Sequence, residues 1–296
     1  LEARQNGGMS SPNKDDQNYP YFTCELGGGM IPSYHRRVYM YPEDAYSMAI
    51  VKLGSGSNLL GYYMYHGGTN PDGKTTYLNE TQKTIATNYS DLPVKTYEYQ
   101  APLGEFGQKN PHYYTLRKLH LFTNTFGETL APMEAYFPMK DKAPKQGDDS
   151  YLRWSYRSNG DTAFVFINNY ERLQTLTDKK NVRFDVCGTK FPQKGMTIPS
   201  GTMAIFPVNI QIGDISLKYA TAQIIYKDLS SVGRIRLYMQ KIDGIEPEMN
   251  INGRVLKKVK PLNETTSVYS SEQVDIYLLT EEYANHLRLQ PENELK

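Results

Sequence analysis

Two hydrophobic periods run along this chain, and the first of them is helical. Between residues 42 and 54, Ala45, Met48, Ala49 and Leu53 fall on one face, Pro42 suits the first helical position, and Gly54 ends the run. Glu43 and Asp44 occupy the first turn, where carboxylates complement the helix dipole. Residues 110–127 repeat the design, with Asn110 as N-cap, Pro111 behind it, an apolar face of Leu116, Leu119 and Phe126, and Gly127 as the stop. A short β-like run precedes each helix. Residues 21–24 end abruptly at Glu25 and Gly27-Gly28-Gly29, and residues 58–65 end at His66-Gly67-Gly68-Thr69-Asn70. Strand, helix, strand, long loop, helix is the rhythm of a βα-barrel or a doubly wound sheet. Both strands carry their polar, glycine-flanked residues at the C-terminal end, which in a barrel is the face that does chemistry.

From about residue 134 the texture changes. Residues 140–150 hold Lys, Asp, Gln, Gly and Pro, and read as a linker. Beyond them β-formers dominate. Residues 152–157 and 162–168 flank Ser158-Asn159-Gly160-Asp161, a hairpin signal, and further β-runs fall at 182–186, 203–212, 216–226, 234–240 and 274–279. That spacing predicts one or more β-sandwiches. No repeat of fixed period is present.

Charge removes some functions from consideration. Lys plus Arg (33) nearly balances Asp plus Glu (32), so no global field recruits nucleic acid or an anionic membrane surface. No apolar run reaches the length of a membrane-spanning helix. Cys24 and Cys187 are too few for a disulfide framework and lack metal-ligand spacing. The 25 tyrosines suit wet β-surfaces and sugar-binding clefts alike. The chain opens on Leu1-Glu2-Ala3 in polar, loop-like sequence, which leads us to expect a natural start upstream. Sequons at Asn79, Asn88 and Asn263 hint at secretion.

Three stretches carry candidate chemistry: Thr23-Cys24-Glu25-Leu26-Gly27-Gly28-Gly29, then Gly61-Tyr62-Tyr63-Met64-Tyr65-His66-Gly67-Gly68-Thr69-Asn70, then Tyr97-Glu98-Tyr99-Gln100-Ala101-Pro102-Leu103-Gly104-Glu105-Phe106-Gly107. Taken alone, Glu25 is either an acidic loop residue or a site carboxylate at a strand end. Together and in this order, the stretches resemble the last two βα units of family 35 β-galactosidases. Similarity continues through Pro207-Val208-Asn209 and Ala220-Thr221-Ala222-Gln223, so the resemblance covers residues 20–225.

The resemblance implies a fold of α/β plus all-β class. Residues 1–133 would be the C-terminal portion of a (β/α)8 barrel, 134–150 a linker, and 151–296 sandwich-like β-domains. It also implies a retaining glycoside hydrolase that removes terminal β-linked galactose from oligo- or polysaccharides without a cofactor or metal, in a secreted or periplasmic protein. Glu25 takes the nucleophile's place, followed by glycines that would leave room for a sugar. Tyr63 and Tyr99 fall where family tyrosines line the galactose pocket. The family's acid/base glutamate, preceded by Asn, belongs upstream of this sequence.

His66, Asn70 and Glu105 read as structural neighbours of the site. Cys24 reads as a core residue, since strand alternation would turn it away from Glu25. Many members carry an aromatic and then Gly-Trp after the nucleophile; here Gly27 and Gly29-Met30 stand in those places. That departure leaves open another sugar or linkage, and a non-catalytic carbohydrate-binding remnant remains the alternative from another class. His35-Arg36-Arg37 lies just beyond, either as solvated cations or as a reader of uronates.

Overall fold

A computed structural model gives the architecture and describes residues 19–33, 36–74, 92–138, 147–261 and 266–288. The three sequons, His35 and the polar stretch before residue 19 lie outside the described residues. The chain divides into two compact units, one within Pro12–Leu53 and Ser57–Leu116, the other within Gly54–Gly56 and Arg117–Lys296.

The first unit contains β1 (Phe22–Leu26), α1 (Pro42–Gly54), β2 (Leu59–Tyr62), β3 (Gly68–Thr69) and β4 (Thr96–Tyr97), and ends in the first turns of α2 (Pro111–Leu130). β1 and β2 pair in parallel, with α1 as the crossover. The start of α1 is fixed from both sides. The Tyr41 N–H donates to the Asp44 carboxylate at 3.0 Å, and the Asp44 N–H donates to the Tyr41 carbonyl at 3.0 Å. Ala45, Tyr46, Ala49, Ile50 and Leu53 form the buried face, while Met48 is half-buried beside Gly27. The strands themselves are poorly covered: Phe22 is 55% and Leu59 44% accessible, and among the described residues β1 and β2 pair only with each other. Parallel strands are ordinarily buried on both faces.

The second unit is β-rich. In chain order it contains β5 (Glu134–Tyr136), β6 (Arg153–Ser158), β7 (Ala163–Asn168), β8 (Lys179–Val186), β9 (Thr189–Ile198), β10 (Met203–Ile212), β11 (Ile215–Ala220), β12 (Gln223–Leu229), β13 (Ile235–Gln240), β14 (Glu248–Ile251), β15 (Arg254–Lys257), β16 (Tyr269–Ser270), β17 (Val274–Leu279) and α3 (Glu281–His286). Seven strands make one sheet in the order β15-β14-β11-β10-β7-β6-β5, β8 and β9 form a hairpin, and β12-β13-β17-β16 make a third sheet in which β13 and β17 run parallel. β5 lies inside the span expected to be a linker and pairs with β6 as an edge strand of the large sheet.

β7 explains its own sequence. Ala163, Val165 and Ile167 face a core shared with Phe184, Phe191 and Phe206. Phe164 packs on the other side against Phe122 and Phe126 of α2, with ring centroids 5.1 and 5.6 Å away. Covered on both faces, the strand reads as an unbroken apolar run. Trp154 meets Phe184 edge-on at 4.9 Å at the border of the same core. The hairpin between β6 and β7 closes through the Asn159 side chain, which accepts the N–H groups of Asp161 and Thr162, with Gly160 at φ 104°.

Two elements differ from the sequence reading. Residues 216–226 are two strands in two sheets, broken at Thr221. The Thr221 N–H donates to the Glu248 carbonyl and its hydroxyl accepts the Glu248 N–H at 2.8 Å, so the backbone leaves its ladder there. α2 also continues past Gly127 to Leu130. Its end is received by Arg157, 1% exposed, whose guanidinium donates to the Ala131 carbonyl at 3.2 Å and to the Met133 carbonyl at 3.1 and 3.2 Å. A cation at a helix C-terminus also complements the dipole. Arg157→Met keeps the apolar stem but removes the guanidinium donors from the carbonyl of buried Met133 and from that of Ala131. Urea unfolding followed by far-UV circular dichroism should show a loss of about 2–4 kcal/mol, and an unchanged midpoint would mean that other donors replace the guanidinium.

Candidate active site

Glu25 sits at an irregularity in β1. The register runs Phe22↔Leu59 and Thr23↔Leu60, then slips before Leu26↔Tyr62. Cys24 and Glu25 fill the slip, and both are exposed where strict alternation would bury one of them. Gly61 permits this, because a Cβ at that position would collide with the Cys24 carbonyl. The core placement expected for Cys24 is therefore corrected: the slip exposes its thiol.

The glycines after Glu25 also serve a different purpose from the one expected. Gly28 and Gly29 are buried. A Cβ at Gly28 would strike the Met64 carbonyl, and one at Gly29 the Tyr99 carbonyl. They allow the backbone leaving the carboxylate to lie flush on the chain beyond β2 and on the Tyr99 turn. The space they free is occupied by protein.

Three tyrosines from the second and third motifs converge on one another. Tyr63 follows β2 and donates its N–H to the Leu26 carbonyl at 2.9 Å. Tyr97 ends β4, and Tyr99 lies in the turn closed by the Ala101 N–H donating to the Glu98 carbonyl at 3.1 Å. Ring centroids are 4.5 Å apart for Tyr97 and Tyr99, 5.4 Å for Tyr63 and Tyr99, and 6.3 Å for Tyr63 and Tyr97. The Tyr63 and Tyr97 hydroxyls are hydrogen-bonded to each other. Burial, most of all, raises the Tyr99 phenol's pKa; a hydrogen bond with Tyr97 and the negative charge of Glu25 push it the same way. The phenol is thus held in its protonated form. Of the sequence-derived candidates, Tyr63 and Tyr99 are in ring contact, and the charge of Glu25 is felt at the Tyr99 phenol. Tyr97 is the member the sequence reading passed over; its signal was the Tyr-x-Tyr spacing in the third motif, which the left-handed turn at Tyr99 folds into one ring cluster.

Carboxylates and amides hold the surrounding loops. Glu98 accepts the Glu105 N–H and the Gln108 amide, the latter at 3.0 Å. Glu105 accepts the Thr69 hydroxyl and the Thr96 hydroxyl, the latter at 2.6 Å, and so ties β3 to β4. Buried Asn70 donates to the Val94 carbonyl at 2.9 Å, and the His66 ring meets the Gly67 carbonyl. Arg36 and Arg37 are exposed, and none of the ion pairs among the described residues includes them.

The hydroxyls of Thr69 and Thr96 lower the Glu105 pKa. A carboxyl whose folded pKa lies below its unfolded value stabilises the fold above the unfolded value, and that contribution disappears as pH falls through the folded one. Hydrogen-exchange protection at residues 68–70 and 95–97 should therefore decline through the acidic end of the carboxylate range. In Glu105→Gln it should start lower and change little with pH. An identical decline in the variant would assign the effect to another group.

Residues 2–123 match the sequence model of glycosyl hydrolases family 35. The chain is 33% identical over 138 residues to Beta-galactosidase 11 of Arabidopsis thaliana, which covers 46% of the chain and 14% of that protein. It is 30% identical over 168 residues to Beta-galactosidase 3 of Oryza sativa subsp. japonica, covering 56% of the chain and 16% of the relative. The alignments thus span a small part of these curated relatives. Residues 2–123 are similar to sequences of that glycoside hydrolase family, and the chain is similar to part of two plant β-galactosidases.

Proposed function

We propose, from this family relation, that Glu25 is the nucleophile of a retaining β-galactosidase and that Tyr63 and Tyr99 contact the sugar or the nucleophile. The observation that carries the reading is how the segment around Glu25 packs on the other two motifs: the Tyr63 N–H donates to the Leu26 carbonyl at 2.9 Å, and Gly29 lies against the Tyr99 carbonyl. In double displacement the carboxylate attacks the anomeric carbon opposite the leaving group and forms a glycosyl ester, which water then cleaves from the first side, so configuration is retained. A neighbouring hydroxyl that donates to the carboxylate or to a sugar oxygen can stabilise charge as it shifts between them.

Retention needs a second carboxyl about 5 Å away as acid/base. The family relation supports placing it upstream of this sequence, so the activity belongs to the whole protein. We read β1-α1-β2 as two neighbouring strands of a (β/α)8 barrel, with exposed Phe22 and Leu59 turned to further strands. The substrate proposed is a terminal β-galactoside of an oligo- or polysaccharide, met outside the cytoplasm. A different sugar or linkage is the second reading, favoured by 43%-exposed Met30 in the place where many members have Trp.

In the complete natural protein, Glu25→Gln should lower hydrolysis of an aryl β-galactoside by several orders of magnitude. Azide added to Glu25→Gly should partly restore turnover and give the α-azide. Near-normal turnover in Glu25→Gln would end the nucleophile assignment. Tyr99→Phe should lower the rate roughly ten- to a thousandfold with little change in thermal midpoint. Unchanged kinetics would return Tyr99 to a packing role.

A further inference from the structure

Gln100 follows Tyr99, and both have left-handed backbone, at φ 52° and 56°. Two such residues in succession, neither of them glycine, need restraint from outside the turn. Gln100 supplies it. Its Nε2 donates to the Met30 carbonyl at 2.9 Å and the Val38 carbonyl at 2.7 Å, and its Oε1 accepts the Met40 N–H at 3.2 Å. Its own carbonyl accepts Nε2–H of His112 at 2.7 Å. Two carbonyls and an N–H require a donor and an acceptor on one group, which an amide has and a carboxylate lacks. The segment so fastened is the one that leaves Glu25, and just before it Gly29 lies against the Tyr99 carbonyl.

We infer that Gln100 is a positioning residue: it stitches both ends of the 30–40 loop to the Tyr99 turn and thereby fixes the Tyr99 hydroxyl relative to the Glu25 carboxylate. Its kinetic consequence rests on the nucleophile reading above; the stitch itself does not. Exposed Arg36 and Arg37 lie within the fastened loop and report on it.

The experiment compares Gln100→Ala, Gln100→Glu and Tyr99→Phe in the complete natural protein. Tryptic cutting at Arg36 and Arg37, read by mass spectrometry, should speed up about tenfold or more in both Gln100 variants and stay unchanged in Tyr99→Phe. Turnover of an aryl β-galactoside by Gln100→Ala should fall roughly ten- to a hundredfold in kcat with little change in KM. Combining it with Tyr99→Phe should cost no more than the larger single loss, because both act through one hydroxyl. Unchanged cutting overturns the stitch. Faster cutting with additive kinetic losses, or with losses in KM alone, overturns the positioning role. Gln100→Glu, nearly isosteric, carries the test if the alanine variant does not fold. Should Glu25→Gln remain fully active, the nucleophile reading fails while the cutting rates still decide the stitch.

Discussion

Backbone polar groups removed from water must find partners, and the described residues between Tyr63 and Asn110 are nearly all irregular. Among them the paired strands are β3 and β4, two residues each, with isolated bridges from Leu103 to His66 and Lys109. Loop backbone bonds, such as Leu103 N–H to the Tyr65 carbonyl at 3.0 Å and Asn110 N–H to the Pro102 carbonyl at 3.0 Å, share the remaining work with side chains. Glu98 takes the Glu105 N–H, Asn70 meets the Val94 carbonyl, Asn110 meets the Ala101 carbonyl at 2.6 Å, and His112 meets that of Gln100. The motif Tyr97-Glu98-Tyr99-Gln100 therefore has two duties in alternation. Its tyrosines form the aromatic cluster, and the residues after each of them hold the loops that present it.

This alternation explains what could be read from the sequence. Helices were legible because period and first-turn residues agree locally, as at Pro42 and Asp44 of α1 and Pro111 of α2. The hairpin at Asn159-Gly160 was legible for the same reason. Glu25, Tyr63 and Tyr99 could be singled out because the three stretches keep family order. Features that depend on remote partners were not legible. The slip at Cys24 needs Gly61 across the sheet, the end of α2 needs Arg157, and the break at Thr221 needs Glu248. The glycines after Glu25 look like open space in a sequence, and only the Met64 and Tyr99 carbonyls show them filled.

The two units differ in how completely they cover their own strands. β7 has aromatic rings on one face and an apolar core on the other, and the large sheet ends in short edge strands at β5 and β15. Short edges offer little template for unwanted pairing. β1 and β2 carry the exposed Phe22 and Leu59, the apolar positions read above as turned to further barrel strands.

Trp154 is the one tryptophan in the chain, and it packs in the β-rich unit against Phe184. Intrinsic tryptophan emission is thus a private reporter of that unit. A melt recorded at those wavelengths follows the β-sheets and is silent about the loops that present Glu25, which could come apart without moving the signal. Near-ultraviolet tyrosine dichroism, by contrast, samples both units, with the Tyr63, Tyr97 and Tyr99 cluster in the first and the Tyr226, Tyr238 and Tyr277 stack in the second. Only if the two spectroscopic transitions coincide does the chain unfold as a single cooperative body.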